Sequence, residues 1–211
     1  MGQTGVAPTP RSLKEKQRQE REELILQAAE DVLMEKGYRE TCIDEIASRV
    51  GIAKGTVYLH FLSKEDLVVA LFARDMRQLL TQVDQIVSAP GTAHARLEAI
   101  LGCVYGTQFL KRVQLLYAIY NGVESQRPCP TSGESMRELW ECLAARVRDL
   151  LDMGKATGEF DPTISTSVML CTFFSLLSPK SYERLIIEEE MTGDELAQHF
   201  GGMYFKGIRE I

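Results

Sequence analysis

The stretch that decides the fold reads Thr41-Cys-Ile-Asp-Glu-Ile-Ala-Ser-Arg-Val-Gly-Ile-Ala-Lys-Gly-Thr-Val-Tyr-Leu-His-Phe61. Its first half repeats apolar residues at the spacing of one helix face. Gly51 follows, and glycine readily adopts the left-handed conformation that ends many helices. A second short helix is predicted from about Ala53 to Phe61. Two helices joined by a glycine turn form a helix-turn-helix, whose second helix can enter the major groove of DNA.

Capping patterns flank this motif. Thr41 and Asp44 fit a capping box at the start of the first helix, and Ser63 and Asp66 fit another after the second helix. The second box opens a long amphipathic helix that is predicted to end before residues 89–91. At 1.5 Å per residue this helix would be roughly 36 Å long. It can therefore connect a DNA-reading head to a separate body.

The predicted second helix of the motif carries side chains suited to DNA. Lys54 and Thr56 can reach phosphates or base edges, and Gly55 lets the backbone approach closely. Tyr58 and His60 each present a ring with a polar tip, although packing within the head is the alternative for both. The apolar residues between them predict that part of the helix packs on its neighbours: Val57, Leu59 and Phe61.

The run from Val50 to Leu67 closely resembles the tetracycline-repressor (TetR) family of bacterial regulators. In that family the recognition helix typically reads small-Lys-Gly-Thr-apolar-Tyr-x-His-Phe, with Ser-Lys-Glu after it, and about eight of these positions match here. The resemblance covers about residues 18–67. One departure is Ala53, because the family often has Ser, Thr or Asn there, which caps the helix and can touch phosphate.

The predicted DNA-binding set contains eight residues: Thr41, Ala53, Lys54, Gly55, Thr56, Tyr58, His60 and Lys64. Phosphate positioning is assigned to Thr41, Lys64 and Tyr58. Contacts with base edges are assigned to Lys54, Thr56 and His60. Two such helices related by a two-fold axis would read a pseudo-palindromic operator in double-stranded DNA, with half-sites ~34 Å apart.

The charge distribution bears on the domain organisation. The 211 residues carry a net charge of −6, yet residues 1–64 are neutral, with ten basic and ten acidic side chains. Residues 1–18 carry a charge of +3, so a basic arm could follow the DNA backbone or lie in the minor groove, the alternative being a solvated tail. We predict a flexible arm at 1–17, a DNA-binding head at 18–65 and a ligand-binding and dimerisation body at 66–211.

The predicted fold is all-α, with about nine helices, because the body shows helical periodicity and no strand pattern. Resemblance to the family implies a small-molecule effector bound among helices 4 to 8, which shifts helix 4; release from DNA is the commoner response. The predicted ligand-binding residues are aromatic: Tyr105, Phe109, Tyr117, Tyr120, Trp140, Phe173 and Phe174. They favour a hydrophobic or aromatic effector, and an ordinary core is the alternative for each of them.

The eighth predicted helix begins at Asp161-Pro162, a start signal, and runs to about Leu177. It is apolar around most of its circumference, which predicts burial on more than one side. The ninth helix follows a predicted capping box at Thr192 and Glu195. A homodimer through helices 8 and 9 would bury the second side, and the family resemblance implies the same four-helix contact. A centrally buried helix in a monomer is the alternative.

Other classes of protein find little support in the sequence. It lacks a catalytic elbow, a phosphate-binding glycine loop and metal-ligand spacing, so we expect no enzyme activity, no metal and no cofactor. No signal peptide or membrane span is predicted, and the five cysteines are expected to be buried, reduced thiols of a cytoplasmic protein. One alternative keeps the fold: a DNA-bound scaffold whose body binds a protein partner.

Overall fold

A computed structural model of the chain describes residues 13–106, 136–178, 182, 185–186 and 188–209. Within this part the fold is all-α, as predicted, and the described residues contain no strand beyond an isolated bridge between Phe160 and Arg209. The chain divides into two compact units, Met1–Leu67 and Val68–Ile211. The helices are α1 (Leu13–Glu40), α2 (Ile43–Val50), α3 (Lys54–Tyr58), α4 (Lys64–Ser88), α5 (Ala93–Gly106), α6 (Met136–Ala156), α7 (Thr166–Leu176) and α8 (Gly193–Ile208).

The first unit is built from α1 to α3 and the first turn of α4. Completely buried side chains come from α1 (Ile25, Val32), from α2 (Ile46) and from α3 (Val57). Burying each of these side chains stabilises the unit by roughly 1.5–3 kcal/mol. The backbone leaves helical geometry at Gly37 (φ 74°, ψ 172°), near the end of α1. Because α1 begins at Leu13, residues 13–17 of the predicted arm are helical.

The predicted capping box at Thr41 and Asp44 is wrong. Cys42 is the N-cap of α2, and no side chain caps that helix. The hydroxyl of Thr41 instead donates a hydrogen bond to the carbonyl of Gly37 at 2.7 Å. This bond ties Thr41 back to the end of α1 and removes it from the capping position. The second predicted cap is present, since the hydroxyl of Ser63 accepts a hydrogen bond from the backbone N–H of Asp66 at 3.1 Å.

The second unit packs α5 to α8 and most of α4 around one apolar core. The capping box of Thr192 and Glu195 opens α8 as predicted, with the hydroxyl of Thr192 accepting from the N–H of Glu195 and the Glu195 carboxylate accepting from the N–H of Thr192. Gly158 is left-handed (φ 76°) just after α6, a conformation that glycine readily adopts at the end of a helix.

The eighth predicted helix corresponds to α7 and begins four residues later than predicted, at Thr166. The N–H of Asp161 donates to the carbonyl of Ile208, and its carboxylate accepts from the N–H and hydroxyl of Thr163. These bonds hold the segment around Pro162 in a turn. The start signal was therefore overridden by a contact with α8, nearly fifty residues away.

The cysteines are less buried than predicted. Cys42, Cys142 and Cys171 are exposed free thiols and Cys103 is half-buried, while Cys129 lies outside the described residues. Burial raises the pKa of the Cys103 thiol. Among the described helices, none has the length and the apolar character that crossing a membrane requires.

Candidate nucleic-acid interface

The turn between α2 and α3 is fixed by Gly51. Its dihedral angles (φ 74°, ψ 32°) are left-handed, a conformation that strains residues with a side chain. The N–H groups of Gly51 and Ile52 donate to the carbonyls of Ser48 and Ala47, which satisfies the free acceptors at the end of α2. Ala53 then serves as the N-cap of α3 in an extended conformation, without a side-chain cap.

One face of α3 is buried and the opposite face is open to solvent. Val57 is completely buried, whereas Lys54, Gly55 and Tyr58 are exposed. Successive helical residues are rotated by about 100°, so Gly55 and Leu59 both lie about 160° from Val57. The prediction that part of the helix packs on its neighbours is confirmed, because Val57 and Phe61 are buried, while Leu59 is 78% exposed.

Lys54 is held by an acidic neighbour on the same surface. Its Nζ lies 2.6 Å from an Oδ atom of Asp44 on α2, and both side chains are largely solvent-exposed. The hydrogen bond to Asp44 raises the pKa of Lys54. Asp44 was not predicted as a partner, because ten residues separate the two side chains and no local pattern marks such a pair. Thr56 is half-buried beside them.

Thr41 and Lys64, predicted to position phosphates, use their polar atoms within the first unit. Thr41 is only 4% exposed. The Nζ of Lys64 donates to the carbonyls of Tyr38 (2.7 Å) and Thr41 (3.1 Å), and it lies 4.2 Å from the centre of the Tyr38 ring. The side chain of Thr41 is thus bonded to the end of α1, and that of Lys64 joins the end of α1 to the start of α4. Their contact with DNA stays a prediction.

The side chain of His60 is also turned inward. It is 7% exposed, and its Nδ1 lies 3.9 Å from an Oε atom of Glu22 on α1. Burial lowers the pKa of His60, an effect that the nearby carboxylate of Glu22 partly offsets. This placement agrees with packing, the alternative that the sequence left open, and contact of His60 with a base edge stays a prediction.

A network of ion pairs fixes α2 against α1. Arg49 forms a two-pronged hydrogen bond with the carboxylate of Glu35 and a further bond to Glu45 at 3.1 Å. Lys36 pairs with the same Glu45 at 2.8 Å. The hydrogen bond from Lys36 is the main cause of the lowered pKa of Glu45. These pairs orient the helix-turn-helix, and they were not predicted from the sequence.

Four of the seven predicted ligand-binding residues lie in the described part, and they belong to the core region of the second unit. Tyr105 is buried and donates its hydroxyl to the carbonyl of Leu176 at 2.5 Å. Phe173 is completely buried, and Trp140 meets Phe174 edge to face with 5.9 Å between ring centres. Phe109, Tyr117 and Tyr120 lie outside the described residues.

A surface cleft of about 770 Å³ lies elsewhere in the second unit and is lined by none of the predicted ligand-binding residues. On its wall, the ring of His94 lies 4.3 Å from the ring of Phe205. The carboxylate of Glu159 accepts hydrogen bonds from the N–H groups of Ala93 and His94, both at 3.0 Å. The negative charge of Glu159 therefore lies at the N-terminus of α5, where the helix dipole favours an anion.

Comparison with known proteins gives matches over both units. The family model of "Bacterial regulatory proteins, tetR family" matches residues 25–71. The chain is similar to the fatty acid metabolism regulator protein of Bacillus subtilis (strain 168), with 34% identity over 77 residues, or 36% of this chain and 40% of that protein. It is similar over a longer stretch to the transcriptional regulator UidR of Escherichia coli (strain K12), with 22% identity over 78% of this chain and 83% of that protein.

Solved structures share the fold over about nine tenths of the chain. A TetR/AcrR-family regulator from Thermobifida fusca is 25% identical with a TM-score of 0.68, covering 90% of this chain and all of that one. The regulator FadR from Bacillus subtilis in complex with stearoyl-CoA is 22% identical with a TM-score of 0.62, over 89% and 99% of the two chains. The helix-turn-helix and these similarities lead to one conclusion: the chain belongs to the TetR family of bacterial regulatory proteins and is a DNA-binding transcriptional regulator.

Proposed function

We propose that this regulator is a repressor, that it binds a pseudo-palindromic operator as a homodimer, and that a small hydrophobic or aromatic effector releases it. The observation that carries the DNA-binding part is the open face of α3 opposite Val57, held in place by the Gly51 turn. An exposed helix face on a rigid two-helix unit is what entry into a major groove requires.

Within this proposal the side chains of α3 take different roles. Lys54 and Thr56 contact base edges, and the exposed Tyr58 contacts a phosphate. In the free protein Lys54 is paired with Asp44, so DNA must replace that carboxylate as the partner of the lysine. A phosphate or a guanine edge offers acceptors suited to an ammonium group. On binding, the DNA-binding head thus exchanges an exposed ion pair for a hydrogen bond from the same ammonium group to DNA.

The homodimer is supported by exposed apolar residues on the last two helices. Val168 of α7 is 57% exposed and Met203 of α8 is 73% exposed, whereas Phe173 and Tyr204 of the same helices are buried in the core. Both helices therefore have one side in the unit's core and apolar groups on a solvent-facing side. A second copy of the chain would cover those groups in a two-fold contact.

The effector class is supported by the aromatic groups around Trp140. Trp140 is half-buried, and its ring meets that of Phe174 edge to face. The ring centre of Phe72 on α4 lies 6.4 Å from the ring centre of Trp140. The similar regulator FadR is described with stearoyl-CoA, a ligand with a long apolar chain. An effector whose binding free energy differs by only 1–3 kcal/mol between the DNA-free and the DNA-bound protein would change DNA affinity about 5- to 150-fold.

The test begins with selection of bound duplexes from random oligonucleotides by the full-length protein. A two-fold symmetric site with half-sites about one helical turn apart would support the proposal, and the absence of any selected sequence at low salt would refute it. Light scattering of the free protein then tests the homodimer, which a monomer at micromolar concentration would contradict.

Effector release is tested by thermal shift with a library of lipophilic and aromatic compounds, since a ligand of the folded state raises the melting temperature. Compounds that stabilise the protein are next added to the protein–operator complex, where dissociation is expected. A protein that responds to no compound but retains a specific protein partner would instead favour the DNA-bound scaffold.

A further inference from the structure

The open face of α3 carries an apolar side chain at its C-terminal end. Leu59 is 78% exposed and keeps right-handed helical dihedral angles (φ −72°, ψ −18°) at the end of the helix. It lies almost opposite the buried Val57, so no neighbouring helix covers it. A leucine side chain in this position contributes little to the core, and its apolar surface is available to whatever the helix meets.

The neighbouring Gly55 leaves room for a close partner on the same face. Its backbone is not left-handed, and a Cβ atom placed on it would meet nothing within 4 Å. Alanine in a helix is more favourable than glycine by about 0.8–1.0 kcal/mol. Neither the dihedral angles nor a neighbour within the protein requires glycine here. The space beside Leu59 is therefore open to a partner outside the folded chain.

The groups around Leu59 suit nucleic acid more than a protein surface. The half-buried Thr56 and the exposed Tyr58 lie about 60° and about 100° from Leu59 on its two sides around the helix axis, so a hydroxyl and a phenol border the leucine. In the major groove the base edges present hydrogen-bonding groups and one apolar group, the C5-methyl of thymine. A leucine between polar side chains matches a thymine methyl between base-edge and phosphate acceptors.

We infer that Leu59 contacts the C5-methyl group of a thymine in each half-site and determines the preference for thymine at that position. This inference rests on the proposed function, because it requires α3 to enter the major groove. Leu59 would thus contribute to sequence specificity, while the polar side chains supply most of the binding. Burying one methyl group corresponds to about four-fold in affinity, from ~0.8 kcal/mol per buried carbon group.

The test removes only the methyl group from the DNA. Each thymine of the selected operator is replaced in turn by deoxyuridine, which keeps every hydrogen-bonding atom. At one position per half-site the wild-type protein should bind about four-fold more weakly after replacement. In Leu59→Ala the same replacement should have no effect. Leu62→Ala is the matched control, because Leu62 is 79% exposed but lies beyond the helix, and it should keep the wild-type response.

A methyl group can also come from 5-methylcytosine, so the same position is tested with cytosine and with 5-methylcytosine paired to guanine. If the operator with 5-methylcytosine binds more tightly than the one with cytosine, but no more tightly than the one with thymine, the result would support a methyl contact at a position that prefers thymine. Tighter binding to 5-methylcytosine than to thymine would overturn the preference. The melting temperature of Leu59→Ala should equal that of the wild type, and a large decrease would show that Leu59 packs internally.

Two failures remain distinct in these experiments. If no duplex is selected, the proposed function fails together with the inference. If an operator is selected but no deoxyuridine replacement weakens binding, or if the response disappears in Leu62→Ala instead, only the assignment of Leu59 fails. The assignment also fails if Leu59→Ala no longer binds a protein partner but binds DNA as the wild type does.

Discussion

Gly193 lies where the second unit has no room for a side chain. It is the first residue of α8, directly after the N-cap Thr192. A Cβ atom at this position would lie 3.0 Å from the carbonyl carbon of Tyr105 and closer still to its oxygen. That carbonyl belongs to the end of α5, and the Tyr105 side chain is itself buried and hydrogen-bonded to Leu176. The obstacle is backbone, which cannot rotate away.

We therefore expect Gly193→Ala to destabilise the second unit. Forced overpacking typically costs about 1–3 kcal/mol, and a rigid backbone contact favours the upper part of that range. The better helix propensity of alanine offsets up to about 1 kcal/mol. The net loss should be about 2 kcal/mol. For a unit of this size such a loss corresponds to a decrease in melting temperature of about 4–8 °C.

The assay is urea unfolding of the full-length protein followed by tryptophan fluorescence. Trp140 is the single tryptophan of the chain and lies in the second unit, so its signal reports that unit. Gly102→Ala in α5 is the matched control, because its Cβ would meet nothing within 4 Å. The control should be more stable than wild type by about 0.5–1 kcal/mol. A Gly193→Ala protein as stable as the wild type would refute the close approach of α8 to α5.

Four further predictions concern charge, pH and assembly. Asp44→Asn should raise operator affinity at low salt, measured by fluorescence anisotropy, because Lys54 loses its internal partner. Lys64→Ala should destabilise the head by about 1–3 kcal/mol in circular dichroism melts, since two carbonyls lose a charged donor. Burial lowers the pKa of His60, so the head should lose stability as pH falls below the unfolded value of about 6.5, by at most ~1.4 kcal/mol per pH unit. Met203→Glu should convert the proposed dimer to monomer in light scattering, because a carboxylate would be buried at its contact.

Three of these predictions can be checked with a further variant of the chain. Asp31→Asn removes an equal charge from an exposed carboxylate that is bonded to Gln27, and it should change operator affinity less than Asp44→Asn. His60→Gln should abolish the pH dependence assigned to His60, and an unchanged dependence would contradict the assignment. Met34→Glu places the same charge on an exposed methionine of α1, and it should leave the oligomeric state unaltered.

The sequence by itself determined the local elements of the fold. The left-handed turn at Gly51, the cap at Ser63, the capping box at Thr192 and the stop near Gly158 all follow from preferences that act over four residues or fewer. The apolar periodicity of the helices could be recognised for the same reason, since one helix turn spans only a short stretch of sequence. The resemblance of residues 50–67 to the TetR family supplied the remaining information on function.

The tertiary structure decided which side chains are free to act. The hydroxyl of Thr41 and the ammonium group of Lys64 bind carbonyls at the end of α1, and Leu59 faces solvent although it reads as a core residue. The start of α7 moved because Asp161 binds the carbonyl of Ile208. Apart from the bond of Thr41 to Gly37, the bonded partners here are 23 to 47 residues apart. Their meeting is set by helix packing, and a local pattern does not contain that information.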